Sequence, residues 1–207
     1  MEKQHTAPRA EERPAGGMAE THPLQPFLPA GARLLMLGSF PPKRERWSME
    51  FFYPNFQNDM WRIVGTVFFG DLDRFVVPGS RRFDRERIVA FCRERGIALY
   101  DTAAEVIRTR DNASDKFLEV VRPVDPAELL GRLPACRAVA VTGQRAADTF
   151  AGAVGCVQPP VGGCVEVTLA GRTVQFWRMP SSSRAYPKPL EEKAAVYRRL
   201  FEAAGVL

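Results

Sequence analysis

Three short apolar runs constrain the fold more than any other feature of the chain: residues 33–37 (RLLML), 97–100 (IALY) and 138–141 (AVAV). Each stops at a turn or a polar residue, namely Gly38-Ser39 followed by Pro41-Pro42, Asp101, and Thr142-Gly143. Short, fully apolar runs bounded in this way read as strands buried on both faces. Amphipathic stretches separate them. Asn58 or Asp59 can cap a helix that turns Trp61, Ile63, Val64, Val67 and Phe68 inward, and Asp84 caps another that buries Ile88, Phe91 and Cys92 before Gly96 ends it. A short helical stretch is expected after Asp101. Asp125-Pro126 opens a helix through Leu130, a further helix carries Ala146, Ala147 and Phe150, and a last one over 190–204 packs Ala194, Val196, Tyr197, Leu200 and Phe201. Residues 165–169 and 173–177, joined by Ala170-Gly171-Arg172, read as a hairpin.

This alternation predicts an α/β three-layer sandwich, a central, mostly parallel short sheet with helices on both faces, as a single domain over residues 31–207. A chain of 207 residues suits one such domain. Residues 1–30 contain five prolines, mixed charges and few apolar side chains, which predicts a disordered tail. In open α/β sheets the ligand crevice lies beyond the C-terminal strand ends, so the loops leaving at Gly38, Asp101, Thr142 and Met179 are the site candidates.

Composition narrows the chemistry. Both histidines, His5 and His22, fall in the predicted tail, which argues against a Ser-His-Asp triad, a Cys-His pair or a His-built zinc site. The four cysteines form no C-x-x-C pair and read as reduced structural thiols rather than ligands of a metal or an iron–sulfur cluster. No cofactor or metal is expected, and the chemistry is left to carboxylates, amides, hydroxyls and water. No apolar run approaches the roughly 18 residues of a membrane span, and the N-terminus has no apolar signal core, so a soluble cytoplasmic monomer without a membrane partner is expected, nucleoid-associated if bacterial. The formal charge of +5 permits a polyanionic partner.

Three stretches carry polar chemistry. Gly38, directly after a strand, lets backbone approach a ligand closely, and the prolines fix the loop that follows. Residues 51–58 (FFYPNFQN) set aromatics before amides, as a stacking face and hydrogen-bonding groups for a planar polar ligand would require. Residues 179–188 (MPSSSRAYPK) put small hydroxyls and an arginine in a tight loop, which suits phosphate oxygens or a duplex.

Taken together, these stretches resemble the uracil-DNA glycosylase superfamily, closest to the branch of the mismatch-specific thymine/uracil and hypoxanthine-DNA glycosylases. LLMLGSFPP followed by FFYPNFQNDMW is similar to the first motif of that family, and MPSSSRAYP to its minor-groove loop. The resemblance implies the uracil-DNA glycosylase-like fold and a damaged or mismatched DNA partner. It further implies a pocket in which Tyr53 stacks on the flipped base, with Asn58 and the Gly38-Ser39-Phe40 turn as its walls. The loop of Ser181, Ser182 and Ser183 would compress the DNA backbone, Arg184 would fill the vacated stack, and Lys43, Tyr186 and Lys188 would flank them on the DNA. The family usually places Asp or Asn two residues after the first-motif glycine, where this chain has Phe40; the hypoxanthine branch is similar in its Gly-Ser-Phe-Pro.

The reaction itself can be stated from chemistry. Breaking an N-glycosidic bond passes through an oxocarbenium-like sugar, so a protein must place water below C1′ and stabilise the departing base. An amide can orient that water, which makes Asn55 the first choice, with Asp101 as the carboxylate alternative and Asp115 third. Lys43, Arg44, Arg46, Arg108, Arg110, Arg184 and Lys188 fall near the proposed face, where phosphate contacts would be salt-sensitive. Arg81, Arg82 and Arg85 either extend that patch or form a solvated loop. The expected function is a monofunctional DNA glycosylase excising flipped hypoxanthine or uracil. Alternatives are a catalytically silent damaged-DNA-binding protein on the same scaffold and a nucleoside hydrolase.

Overall fold

The computed structural model describes residues 18–109 and 118–207. Eight strands are present, β1 (Glu20–Thr21), β2 (Leu34–Gly38), β3 (Ile97–Asp101), β4 (Ala103–Arg108), β5 (Leu118–Pro123), β6 (Ala138–Thr142), β7 (Cys164–Leu169) and β8 (Arg172–Met179). The α-helices are α1 (Met60–Phe69), α2 (Arg85–Arg95), α3 (Pro126–Gly131), α4 (Gln144–Val154) and α5 (Leu190–Ala203).

The three apolar runs become the centre of a five-stranded sheet of order β3-β2-β6-β8-β7. Its first four strands are parallel, and the predicted hairpin adds β7 antiparallel to β8 at the edge. Alternate side chains of the central strands feed two cores, as the period of two requires. Leu34, Met36, Ile97, Leu99, Ala138 and Ala140 pack under α1, α2 and α5, whereas Leu35, Leu37, Ala98, Val139 and Val141 pack under α3 and α4. The expected α/β sandwich is therefore present in three layers. Local signals place the helix ends: Asp84 accepts from Arg87 N–H, Asp125 accepts from Ala127 N–H behind Pro126, and Gly96 takes the left-handed conformation that closes α2.

The chain lays down β3 on one side of β2 and β6 on the other. Strand order reverses at β2, and the loops after Gly38 and Thr142 diverge there to leave a crevice.

Two expectations fail. The residues after Asp101 form a strand, β4, not a helix; Val106 and Ile107 favour extended backbone, and β1 and β5 supply hydrogen-bonding partners on both sides. The tail does not extend to residue 30. Glu20 and Thr21 pair with Val106 and Glu105, Phe27 bridges Leu99, and His22 is buried. The signal was hidden because a two-residue strand has no periodicity of its own. Among the described residues no helix is long and apolar enough to cross a membrane.

Deleting the chain through Leu24 strips β1 from β4 and removes the ring that faces Asp101. Loss of a buried carboxylate's partner and of the strand pairing should cost about 2–3 kcal/mol, or a fall of about 5–10 °C in Tm for a domain of this size. Circular dichroism melting would measure it, and an unchanged Tm would refute the strap's role.

Candidate active site

A cleft of ≈ 850 Å³ opens at the switch point. Its lining joins the first-motif turn (Gly38, Ser39, Phe40), the segment Tyr53, Asn55 and Asn58, Asp101, and the loop from Ser181 to Tyr186. Stretches far apart in sequence thus meet at one strand-end edge. Lys43 and Lys188 lie outside the lining, and Lys188 pairs with Glu192. Arg110 and Asp115 fall outside the described residues.

The floor is set by Asp101. A Cβ built on Gly38 would come within 2.3 Å of Asp101 Oδ1, so only glycine lets the carboxylate sit against the neighbouring strand. The other oxygen, Oδ2, lies 2.8 Å from His22 Nε2, with both side chains at most 10% exposed. His22 Nδ1 stands 2.9 Å from the Leu24 carbonyl and 3.1 Å from its N–H. The ring can therefore donate to Asp101 in either charge state: Nδ1 accepts from Leu24 N–H when the ring is neutral and donates to Leu24 C=O when it is charged. Tyr100 (4.6 Å) and Phe40 (5.3 Å) enclose it. Sequence reasoning removed histidine from the site because the residue lies 79 positions from its carboxylate; nothing local marks it.

Phe40 explains itself by packing. It is 7% exposed and fills a small cluster with Ala103, Val106 and Leu118, beneath the Arg108 guanidinium. Tyr53 takes a left-handed backbone (φ 51°), a conformation that costs a non-glycine residue roughly 1–3 kcal/mol. Its hydroxyl meets Thr142 Oγ1 at 3.2 Å, and burial pushes the phenol above its ordinary range, so it stays protonated.

The amides are partly used by the fold. Asn55 Oδ1 accepts from Gln57 N–H (2.9 Å) and Asn58 Oδ1 from Met60 N–H (2.9 Å), which leaves each side-chain NH2 as a donor. Asn58 thus starts α1, as one of the two expected caps, while Asp59 makes no cap bond. Arg62, 6% exposed, supports the segment from below: its guanidinium stacks on Phe56 at 4.4 Å and donates to the Phe56 carbonyl. Burial, and then the charge of Arg184, push Arg62 below the ordinary arginine range.

Asp59 is instead a buried node. It accepts from Arg184 Nε (2.9 Å) and from Lys193 Nζ (3.2 Å), and Lys193, 1% exposed, also donates to the Ser183 carbonyl. Asp59 N–H donates to Ser182 C=O, and Asn58 bridges Ser183. The serine loop is thereby riveted to the start of α1 and to α5. Within it, Ser181 Oγ accepts from Ser183 N–H and Ser183 Oγ from Ala185 N–H, so these hydroxyls shape the turn and keep their own protons for donation. Thr142, Gln144 and Arg145 complete the cleft wall; of these only the turn at Thr142 was visible as a strand-end loop.

No protein-family model matches the chain, and no curated protein matches it in sequence. Its fold is similar to the solution NMR structure of a putative uracil DNA glycosylase from Methanosarcina acetivorans, with a TM-score of 0.59 and 19% identity, covering 91% of this chain and 99% of that one. At this identity the likeness establishes the shared fold.

Asp59→Ala leaves the Lys193 ammonium buried with a single carbonyl partner. Removing one member of a buried pair should cost about 3–5 kcal/mol. A drop in the urea midpoint with unchanged m-value would show it, and a shift below about 1 kcal/mol would refute the rivet.

Proposed function

We propose that the protein is a monofunctional DNA glycosylase that hydrolyses the N-glycosidic bond of a deaminated base, hypoxanthine or uracil, flipped from DNA into the cleft. The observation that carries this reading is the convergence, at the switch-point cleft, of the Gly38 turn, the Tyr53–Asn58 segment and the serine loop over a buried Asp101–His22 pair. The fold shared with a structure described as a uracil DNA glycosylase supports it.

The geometry favours Asp101 over Asn55 as the group that handles water. Asp101 Oδ2 is held by His22, while Oδ1 lies against Gly38 on the cleft floor. Water held by Oδ1 attacks C1′ as the C–N bond breaks; the bonding pair leaves with the base, and the proton of the water passes to Asp101. Asn55 has its oxygen engaged and offers NH2, a donor suited to the negative charge that builds on the departing base. Among the described residues lining the cleft there is no lysine or cysteine, which supports direct hydrolysis rather than an imine or thiol intermediate.

One observation favours a second reading, a DNA-binding protein without activity: Phe40 places an apolar ring where the resembling family usually has a carboxylate or amide. Duplexes carrying uracil, hypoxanthine, xanthine or mispaired thymine, treated with protein and then alkali, separate the two. Strand breaks are expected at uracil or hypoxanthine, with free inosine and uridine untouched. Binding without breaks, by folded protein in excess, would establish the silent binder, and cleavage of free nucleosides alone would establish a nucleoside hydrolase.

Asp101→Asn should lower single-turnover excision by about 10²–10⁴-fold, the usual contribution of a positioned base. Asn55→Ala should cost less, about tenfold, with DNA binding retained. Normal excision by Asp101→Asn would remove Asp101 from the mechanism.

A further inference from the structure

A second groove, of ≈ 600 Å³, opens beside the cleft and shares Arg46, Asn55 and Gln57 with its lining. Its floor holds Trp47 and Phe56, and its walls hold Arg44, Arg81 and Arg82. Four arginines face two glutamates, Glu45 and Glu50, and one of each is mutually satisfied, since Arg44 pairs with Glu50. The side chains of Arg46, Arg81 and Arg82 are exposed and make no hydrogen bond or ion pair among the described residues.

Their availability stands out against the other cations of this face. Arg108 is bound by Glu20 and the Pro41 carbonyl, Arg184 by Asp59, Lys188 by Glu192, and Arg85 by the Glu50 carbonyl. Each of these must give up a partner before it can bind an anion. Arg81 and Arg82 also sit on an anchored turn. Val77 N–H donates to Arg82 C=O, Val76 bridges Phe83, Phe75 and Phe83 are buried, and Phe83 packs on Phe56 at 5.1 Å. The turn and the Asn55 segment therefore share one aromatic wall, and little backbone order is lost when an anion binds there.

We propose that this groove is a DNA backbone track: phosphates flanking the flipped nucleotide on one side leave the cleft past Asn55 and Gln57 and lie against Arg46, Arg81 and Arg82. The inference rests on the glycosylase reading for the nucleotide in the cleft, but its own content is the path and polarity of the flanking strand. Guanidinium groups suit phosphate oxygens because their paired N–H donors match them in a fork, and such contacts carry no base preference.

Fluorescence anisotropy with the full-length protein and lesion-bearing duplexes, at salt from 50 to 200 mM, tests it. Arg81→Ala/Arg82→Ala should reduce the slope of log affinity against log salt by about 1.8, near 0.9 per phosphate released, so that wild type loses about tenfold more affinity than the variant across that range. Both side chains are exposed, and an unchanged Tm confirms that folding is intact. Duplexes extended only 5′ or only 3′ of the lesion should show the loss on one side alone, and Arg46→Ala should show it on the same side. An unchanged slope with wild-type excision overturns the track and leaves the glycosylase reading standing. Equal losses on both sides also overturn it, as a diffuse charge effect. Slope loss on one side in a protein that excises nothing keeps the track and removes the glycosylase reading.

Discussion

Asp101 presses against the backbone of the neighbouring strand, and much of the site follows from that contact. The carboxylate needs a strand partner without a side chain, which Gly38 supplies, and a hydrogen-bond donor on its far side, which His22 supplies. A carboxylate this buried is costly unless its lone pairs are used. The imidazole meets that need, and Leu24 fixes the imidazole in turn. The floor of the cleft is therefore a rigid chain of polar contacts inside an aromatic shell, not a loose acid exposed to solvent.

The opposite wall depends on charges the fold keeps for itself. Asp59 gathers Arg184 and Lys193 and through them fixes the serine loop to two helices. An arginine held at 2.9 Å by a buried carboxylate is docked, so under the proposed function its entry into DNA exchanges one partner for another. The cations left without such duties collect on the turn before α2, at the side of the cleft. Charge near a site and charge available to a ligand are thus different quantities here, and hydrogen bonds decide between them.

The central sheet was legible because RLLML, IALY and AVAV carry their burial in their composition, and the helix ends because Asp84, Asp125 and Gly96 act within one turn of themselves. Strand-end topology then placed Gly38, Tyr53, Asn58 and the serines in one cleft, as the pattern implied. What stayed hidden depends on partners distant in sequence. The run after Asp101 (TAAEVIR) reads as helix until β1 and β5 flank it, and His22 has no meaning without Asp101. The likeness to a solved glycosylase-like structure at 19% identity fits the same division, because buried alternation preserves a fold while polar partners change freely.

The strap that carries His22 also has a consequence for how the site is assembled. β1 pairs with β4 and not with any element near it in sequence, so a segment that precedes most of the domain docks only when residues 103–108 are in place. Its contacts are among those of greatest sequence separation around the cleft, and loop closure makes such contacts slow to form. During synthesis the segment leaves the ribosome before its partner exists. The sheet can therefore assemble while the floor of the cleft still lacks the ring on Asp101, and the cleft is completed only when the earliest part of the domain returns to it.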